Sequence, residues 1–324
     1  MPTWMNWRPL AGDHRPWLLV LTVAALPFLG ACGDEETVRP SGPTSSAFVQ
    51  EWGDSGSAPG DFDFPIGIAA DNAGRLYVAD SFNGRIQCFD VSGALLDVWT
   101  VADSFFAPAG IAFDGRSRLY VTDMARSQVR VFNTSGTLER SWGARGSGPG
   151  EFEFPIGIVV GHNGDVYVAD RNGRRIERFT PEGVFVQEWP AGRPAEGSRF
   201  WGPHGLAVGP DGSIFMIEWH GYQIYRYSPD GVLRTTWGSV GFASGHTNNL
   251  YGIAFDRRGQ LLVTDAEPHR VVKFAATGQF IEQWGEAGPA PGEFELPWGI
   301  AVGSNNHAYV VDSIRERVLH FDNR

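Results

Sequence analysis

The sequence predicts an all-β fold of six repeated four-stranded units, and three observations carry that reading. The first is recurrence: an apolar run built around a glycine returns at Gly67, Gly110, Gly157, Gly205, Gly252 and Gly299, at steps of 43, 47, 48, 47 and 47 residues. The acidic residues closing the following run, Asp80, Asp123, Asp170, Glu218, Asp265 and Asp312, keep the same step. The second is the content of each unit, four short runs rich in Val, Ile, Tyr and Phe, separated by turn residues such as His162-Asn163-Gly164 and Pro181-Glu182-Gly183. The third is that apolar residues nowhere sustain the three-to-four spacing of helical repeats. One such sheet cannot bury both faces alone and must stack on its neighbours around an axis. A period in the forties with four strands therefore reads as a six-bladed β-propeller of four-stranded antiparallel blades.

Taken in order, the chain opens with a segment of a different kind. Arg8 and Arg15 precede an uncharged run from Trp17 to Ala31, too short to read as a membrane-spanning helix, and residues 1–31 read as a secretory signal peptide. Residues 32–46 contain almost nothing to bury and read as a flexible tether. The array occupies residues 47–324. Its fourth strands each carry a tryptophan, at Trp99, Trp142, Trp189, Trp237 and Trp284, and the sixth is missing from the C-terminal end. The missing strand is at the other end, where the run from Ala47 to Gly53 matches the run from Gln279 to Gly285. The expectation is that the N-terminal strand completes the last blade and leaves no open seam.

The stretch Phe64-Pro65-Ile66-Gly67-Ile68-Ala69, with Leu76 to Asp80 and Asn83 to Ile86, resembles the NHL-repeat family, and the resemblance runs over residues 47–324. It implies the propeller fold. Function it leaves open, because family members include protein-binding, RNA-binding, sensor and lyase proteins. Leu29-Gly30-Ala31-Cys32 resembles a bacterial lipobox, which implies cleavage before Cys32 and lipidation of that cysteine. Gly33 in place of an aspartate after it favours the outer membrane in a Gram-negative cell.

Charge and cysteine content narrow the function classes. The full chain carries a net charge of −11, and loss of Arg8, Arg15 and Asp13 with the signal takes it to about −12. Such a body does not suit a phosphate backbone, so no nucleic-acid partner is expected. With Cys32 lipidated, Cys88 stands alone and reads as an inert core thiol. Neither a Gly-x-Ser-x-Gly elbow nor a His-Glu-x-x-His helix is present. The glycine-rich Gly143 to Gly150 recurs at Gly53 to Gly60 and Gly285 to Gly292 without a Gly-Lys-Ser/Thr ending, so it reads as a repeat loop. The acid-ring-acid triplets, such as Glu151-Phe152-Glu153, read as solvated carboxylates beside an anchoring ring, with calcium as the alternative. An arginine five residues after the blade acid, as in Asp170 and Arg175, reads as a charged pair closing a turn.

The functional expectation rests on where the blades differ. Loops joining second to third strands share a face with the connections between blades, and that top face carries the irregular sequence. Trp201, Trp219 and Trp298 lie outside the blade-marker pattern, and His204, His220, His246 and His269 all fall in top-face loops. The residue before each first-strand glycine should ring the channel mouth, as Ile66, Ala109, Ile156, His204, Tyr251 and Trp298. The expected ligand site is His204, Trp219, His220, Tyr222, Tyr251, Trp298 and Trp201, with no catalytic residue assigned. The first reading is a lipid-anchored envelope propeller that binds an envelope protein, peptide or glycan through this face and requires no cofactor, rather than an enzyme. The alternative is a metal-dependent lyase or hydrolase, with zinc or calcium held by His204, Glu218, His220, His246 and His269. Peptide-amidating lyases resemble it in Pro203-His204-Gly205, but the alternating positions that would complete their zinc triad hold Ala109 and Trp298.

Overall fold

The computed structural model describes residues 46–100, 107–192, 202–219 and 221–323. The signal peptide, the tether to residue 45, and with them Cys32, lie outside the described residues, as do Trp201 and His220. Residues Pro43–Arg324 form one compact unit containing six four-stranded antiparallel sheets. Blade three is representative, with strands Pro155–Val160, Val166–Asp170, Arg175–Phe179 and Phe185–Pro190 in sequential order from the axis outward. The first strands of successive blades touch one another around the ring.

Closure follows the sequence reading. The last blade consists of Pro297–Val302, Ala308–Asp312 and Arg317–Asp322, and its outer strand is the N-terminal Ala47–Trp52. Pairing runs from Ala47 opposite Asp322 to Trp52 opposite Val318. The outer edge of the last sheet is thus covered by the start of the array.

Each recurrent residue has a packing reason. A Cβ on Gly67 would meet the Ala109 carbonyl oxygen at 2.0 Å, and one on Gly157 would meet that of His204 at the same distance. Only a residue without a side chain lets adjacent inner strands approach this closely. The fourth-strand tryptophans lock neighbouring blades: Trp99 lies under Gly136, Trp142 under Gly183 and, across the seam, Trp52 under Gly93. The acid–arginine spacing is structural, as expected. Arg85 pairs with Asp80 at 2.6 Å and also donates to the carbonyls of Ser57, Ala58 and Asp61, so it pins the glycine-rich loop to the blade. Arg175 does the same with Ser147, Gly148 and Glu151. Phe62, Phe152 and Phe294, from the acid-ring-acid triplets, are fully buried beneath these loops.

Candidate functional site

The six residues before the first-strand glycines do converge. Ile66, Ala109, Ile156, His204, Tyr251 and Trp298 line a central cavity of about 80 Å³. Ligand pockets generally need about 300–1,000 Å³, so side chains fill the axis and a ligand has room only above the ring, at its mouth.

One half of the ring is aromatic and tightly interlocked. Tyr251 and Trp298 pack with ring centroids 4.3 Å apart, and His204 lies 5.3 Å from Tyr251 and 5.6 Å from Trp298. The Nδ1 of His204 is 2.8 Å from the Tyr251 carbonyl oxygen. A carbonyl can only accept, so this contact places the proton on Nδ1 and makes Nε2 the basic nitrogen. The contact has a local cause. The corresponding carbonyls of blades three and six, of Ile156 and Trp298, accept from Thr122 and Thr264 on the second strands of blades two and five. Blade four has Ile217 at that place, as blades one, three and six have Ala79, Ala169 and Val311, and there His204 is the donor. Consistent with this, a Cβ on Gly205 would stand 3.0 Å from the Tyr251 carbonyl oxygen, a looser approach than at the other ring positions.

Beside the ring, Trp219 and Arg171 both interact with Tyr251. The Arg171 guanidinium carbon lies 4.0 Å from the Phe154 ring centre and 4.1 Å from that of Trp219. Burial pushes its pKa down to about 10, with a small opposing effect from Tyr251. Burial also pushes the Tyr251 hydroxyl up to about 12, against interactions with Asn249, Trp219 and Arg171. On the far side Phe64 meets Trp298 edge-on at 5.5 Å and stacks on the exposed Phe82 at 5.0 Å.

Of the expected ligand-site residues, His204, Trp219, Tyr251 and Trp298 gather at this mouth. Tyr222 is at the surface, its carbonyl accepting from Thr247. The proposed metal donors do not gather. His246 is half-buried and contacts the Val240 carbonyl at 3.1 Å, and His269 sits 2.9 Å from the Glu295 carbonyl. His269 has a φ of 56° and fills the same left-handed turn slot as Ser127, Arg174 and Glu316 in other blades. Glu218 is buried and accepts from the Tyr225 hydroxyl at 3.2 Å. Among the described residues, no three His, Cys, Asp or Glu side chains come together in a metal-holding group. Zinc at the peptide-amidating positions does not fit either, since Ala109 and Trp298 offer no ligand.

Sequence reasoning missed Arg171, Phe64 and Phe82. The signal for Arg171 was present: the residue after the blade acid is Ser81, Met124, Arg171, Trp219, Ala266 and Ser313 around the ring, and the charge in blade three breaks that series.

Comparison with known proteins corrects one expectation. No curated protein matches the sequence. Among solved structures, virginiamycin B lyase from Staphylococcus aureus is similar, with a TM-score of 0.58, 18% identity, and 81% of each chain covered. A gluconolactonase from Xanthomonas campestris has a TM-score of 0.59 and 19% identity, covering 88% of this chain and 99% of that one. A Bacteroides thetaiotaomicron protein of unknown function has a TM-score of 0.68 and 14% identity, covering 86% of this chain and 76% of that one. At these identities the likeness establishes the fold. Because similar structures include a lyase and a gluconolactonase, the expectation of a purely binding or scaffolding propeller that is not an enzyme is withdrawn. An NHL repeat is matched at residues 62–89. A family profile described as a 6-bladed beta-propeller matches residues 105–189 and 246–323, together just over half of the sequence, and the chain belongs to that family.

Proposed function

We propose that this chain is an enzyme of the lyase or hydrolase class, working on an ester-type bond at the top-face mouth, with His204 as its proton-transfer group. The observation that carries this reading is the orientation of His204. Its Nδ1 is committed to the Tyr251 carbonyl, so Nε2 is the basic nitrogen, and the residue lines the cavity beneath the mouth. Among the six ring residues it alone is an imidazole, the side-chain type used most often for proton transfer. In the hydrolytic form, Nε2 takes a proton from water as the water oxygen bonds to the acyl carbon. It returns that proton to the alkoxide as the carbon–oxygen bond breaks, giving one acid and one alcohol. That similar structures include a virginiamycin B lyase and a gluconolactonase supports the reaction class. No step is assigned to a metal, because no three His, Cys, Asp or Glu side chains among the described residues come together there.

The test is turnover of a panel of lactones and linear esters, followed by acid release, in wild type and His204→Gln. Glutamine can still donate to the Tyr251 carbonyl, so melting should hold while kcat falls about 100-fold or more. Absence of turnover by wild type, or full turnover by the variant, would overturn the reading.

We propose in addition that the enzyme is anchored to the outer membrane by lipid on Cys32. The support is Leu29-Gly30-Ala31-Cys32 after an uncharged run, followed by a polar tether. Labelling with a palmitate analogue should mark the wild type and leave Cys32→Ser unmarked, and equal labelling would remove this part of the proposal.

A further inference from the structure

We propose that the mouth over blades three to five is an anion site for a small planar carboxylate, with Arg171 as its cation. Five other buried arginines among the described residues are each paired with a carboxylate: Arg85 with Asp80, Arg130 with Asp123, Arg175 with Asp170, Arg270 with Asp265 and Arg317 with Asp312. Arg171 is the exception. It is 7% exposed, its Nε makes no hydrogen bond, and no carboxylate among the described residues pairs with it. Among the described residues, its titratable electrostatic neighbour is the Tyr251 hydroxyl, at the channel mouth.

Burying a charge that has no carboxylate partner among the described residues is costly, and the fold does not need a charge here. In blades one and six the same repeat position is filled by Ser81 and Ser313, which donate to the carbonyls of Pro108 and Pro65 at 2.6 and 2.5 Å. A ligand that arrives with its own negative charge accounts for the arginine where packing does not. The chemistry of that ligand follows from what surrounds the guanidinium. Phe154 and Trp219 lie against its faces, so an acceptor can meet it only in plane, where a carboxylate matches the fork with two parallel hydrogen bonds. The approach is aromatic as well. Phe82, Phe64, Trp298 and Tyr251 form a continuous series of ring contacts from the exposed rim to the residue beside Arg171. A flat apolar body finds stacking partners along that series, whereas a compact hydrated anion finds none.

The inference places a substrate class at the mouth assigned to catalysis above, but its test reads binding alone. A chain that binds the anion and turns nothing over would overturn only the catalytic reading. Calorimetric titration of the full chain would use phenylacetate, its neutral amide phenylacetamide, and inorganic phosphate. Wild type should bind phenylacetate saturably and at least about tenfold more tightly than either of the others, as expected for a charge-assisted pair in a buried setting. Arg171→Met should lose the preference for the acid over the amide, with melting equal to or above wild type because a buried charge with no described carboxylate partner has gone. Arg171→Lys should keep the preference in weakened form. Equal binding of acid and amide by wild type would overturn the proposal without recourse to any variant. Retention of the acid preference in Arg171→Met would do the same, and phosphate binding as tight as phenylacetate would overturn the planar-carboxylate assignment.

Discussion

Glu177 shows how one blade position can carry a pH response that its counterpart lacks. It is fully buried on the third strand of blade three, accepts from the Gly150 amide at 2.9 Å and faces Arg175 at 3.2 Å. Burial still dominates and pushes its carboxyl up to about 7. A folded-state pKa above the unfolded value means that its contribution to stability is complete below the ordinary 4.5 and is lost as pH rises through about 7. Blade one makes the same contact without the charge, since Gln87 accepts from the Gly60 amide at 2.8 Å. Glu177→Gln should therefore melt at or above wild type near pH 8, and the gap should close toward about pH 5. A pH series of melting curves for both proteins checks it; a constant gap would contradict the assignment. At this scale the sequence was legible only in part. The mouth ring could be read because a fixed period places one residue per blade on the axis. The histidines could not be grouped in the same way. His246 and His269 share a face with His204 but belong to a glycine-rich loop and a left-handed turn slot, and membership of a face does not fix distance from the axis.

Among the elements, the N-terminal strand was the least local of the sequence expectations and is the most directly testable. Trp52 lies under Gly93, 6.0 Å from Phe89 and 6.2 Å from Tyr309, so it joins blade six to blade one. Phe48 packs edge-on against Phe321 at 5.9 Å, and Glu51 pairs with Arg317 at 2.8 Å. Deleting residues 47–53 removes these contacts and uncovers the edge of Arg317–Asp322. Replacing Trp52 alone by alanine should cost about 3 kcal/mol, the lower end for a large aromatic, because Trp52 is only partly buried. The deletion should cost more, and loss of residues 33–45 should leave melting unchanged. Denaturant midpoints of the three variants decide the matter, and equal midpoints for the two deletions would contradict the strand's place in the ring. This element could be read because its tryptophan and the residues around it repeat those of blade five; nothing in nearby sequence pairs it with the C-terminus.

For the whole molecule, the seam sets an order of events. Blades one to five each close on residues near in sequence, whereas the Arg317–Glu51 pair joins residues 266 positions apart and the Ser313–Pro65 hydrogen bond spans 248. Contacts of such long sequence separation are slow to form, because the chain loses the entropy of closing the loop before the pairing rewards it. During synthesis the strand Ala47–Trp52 emerges first and has no partner until the strand Arg317–Asp322 follows it. Until then the nascent chain carries an unpaired strand at one end and an open sheet edge at the other, the two features from which sheets aggregate. Loss of the final six residues of the last strand would make that interval permanent, so a truncation that spares the channel mouth entirely should still convert a closed ring into a chain that polymerises edge to edge.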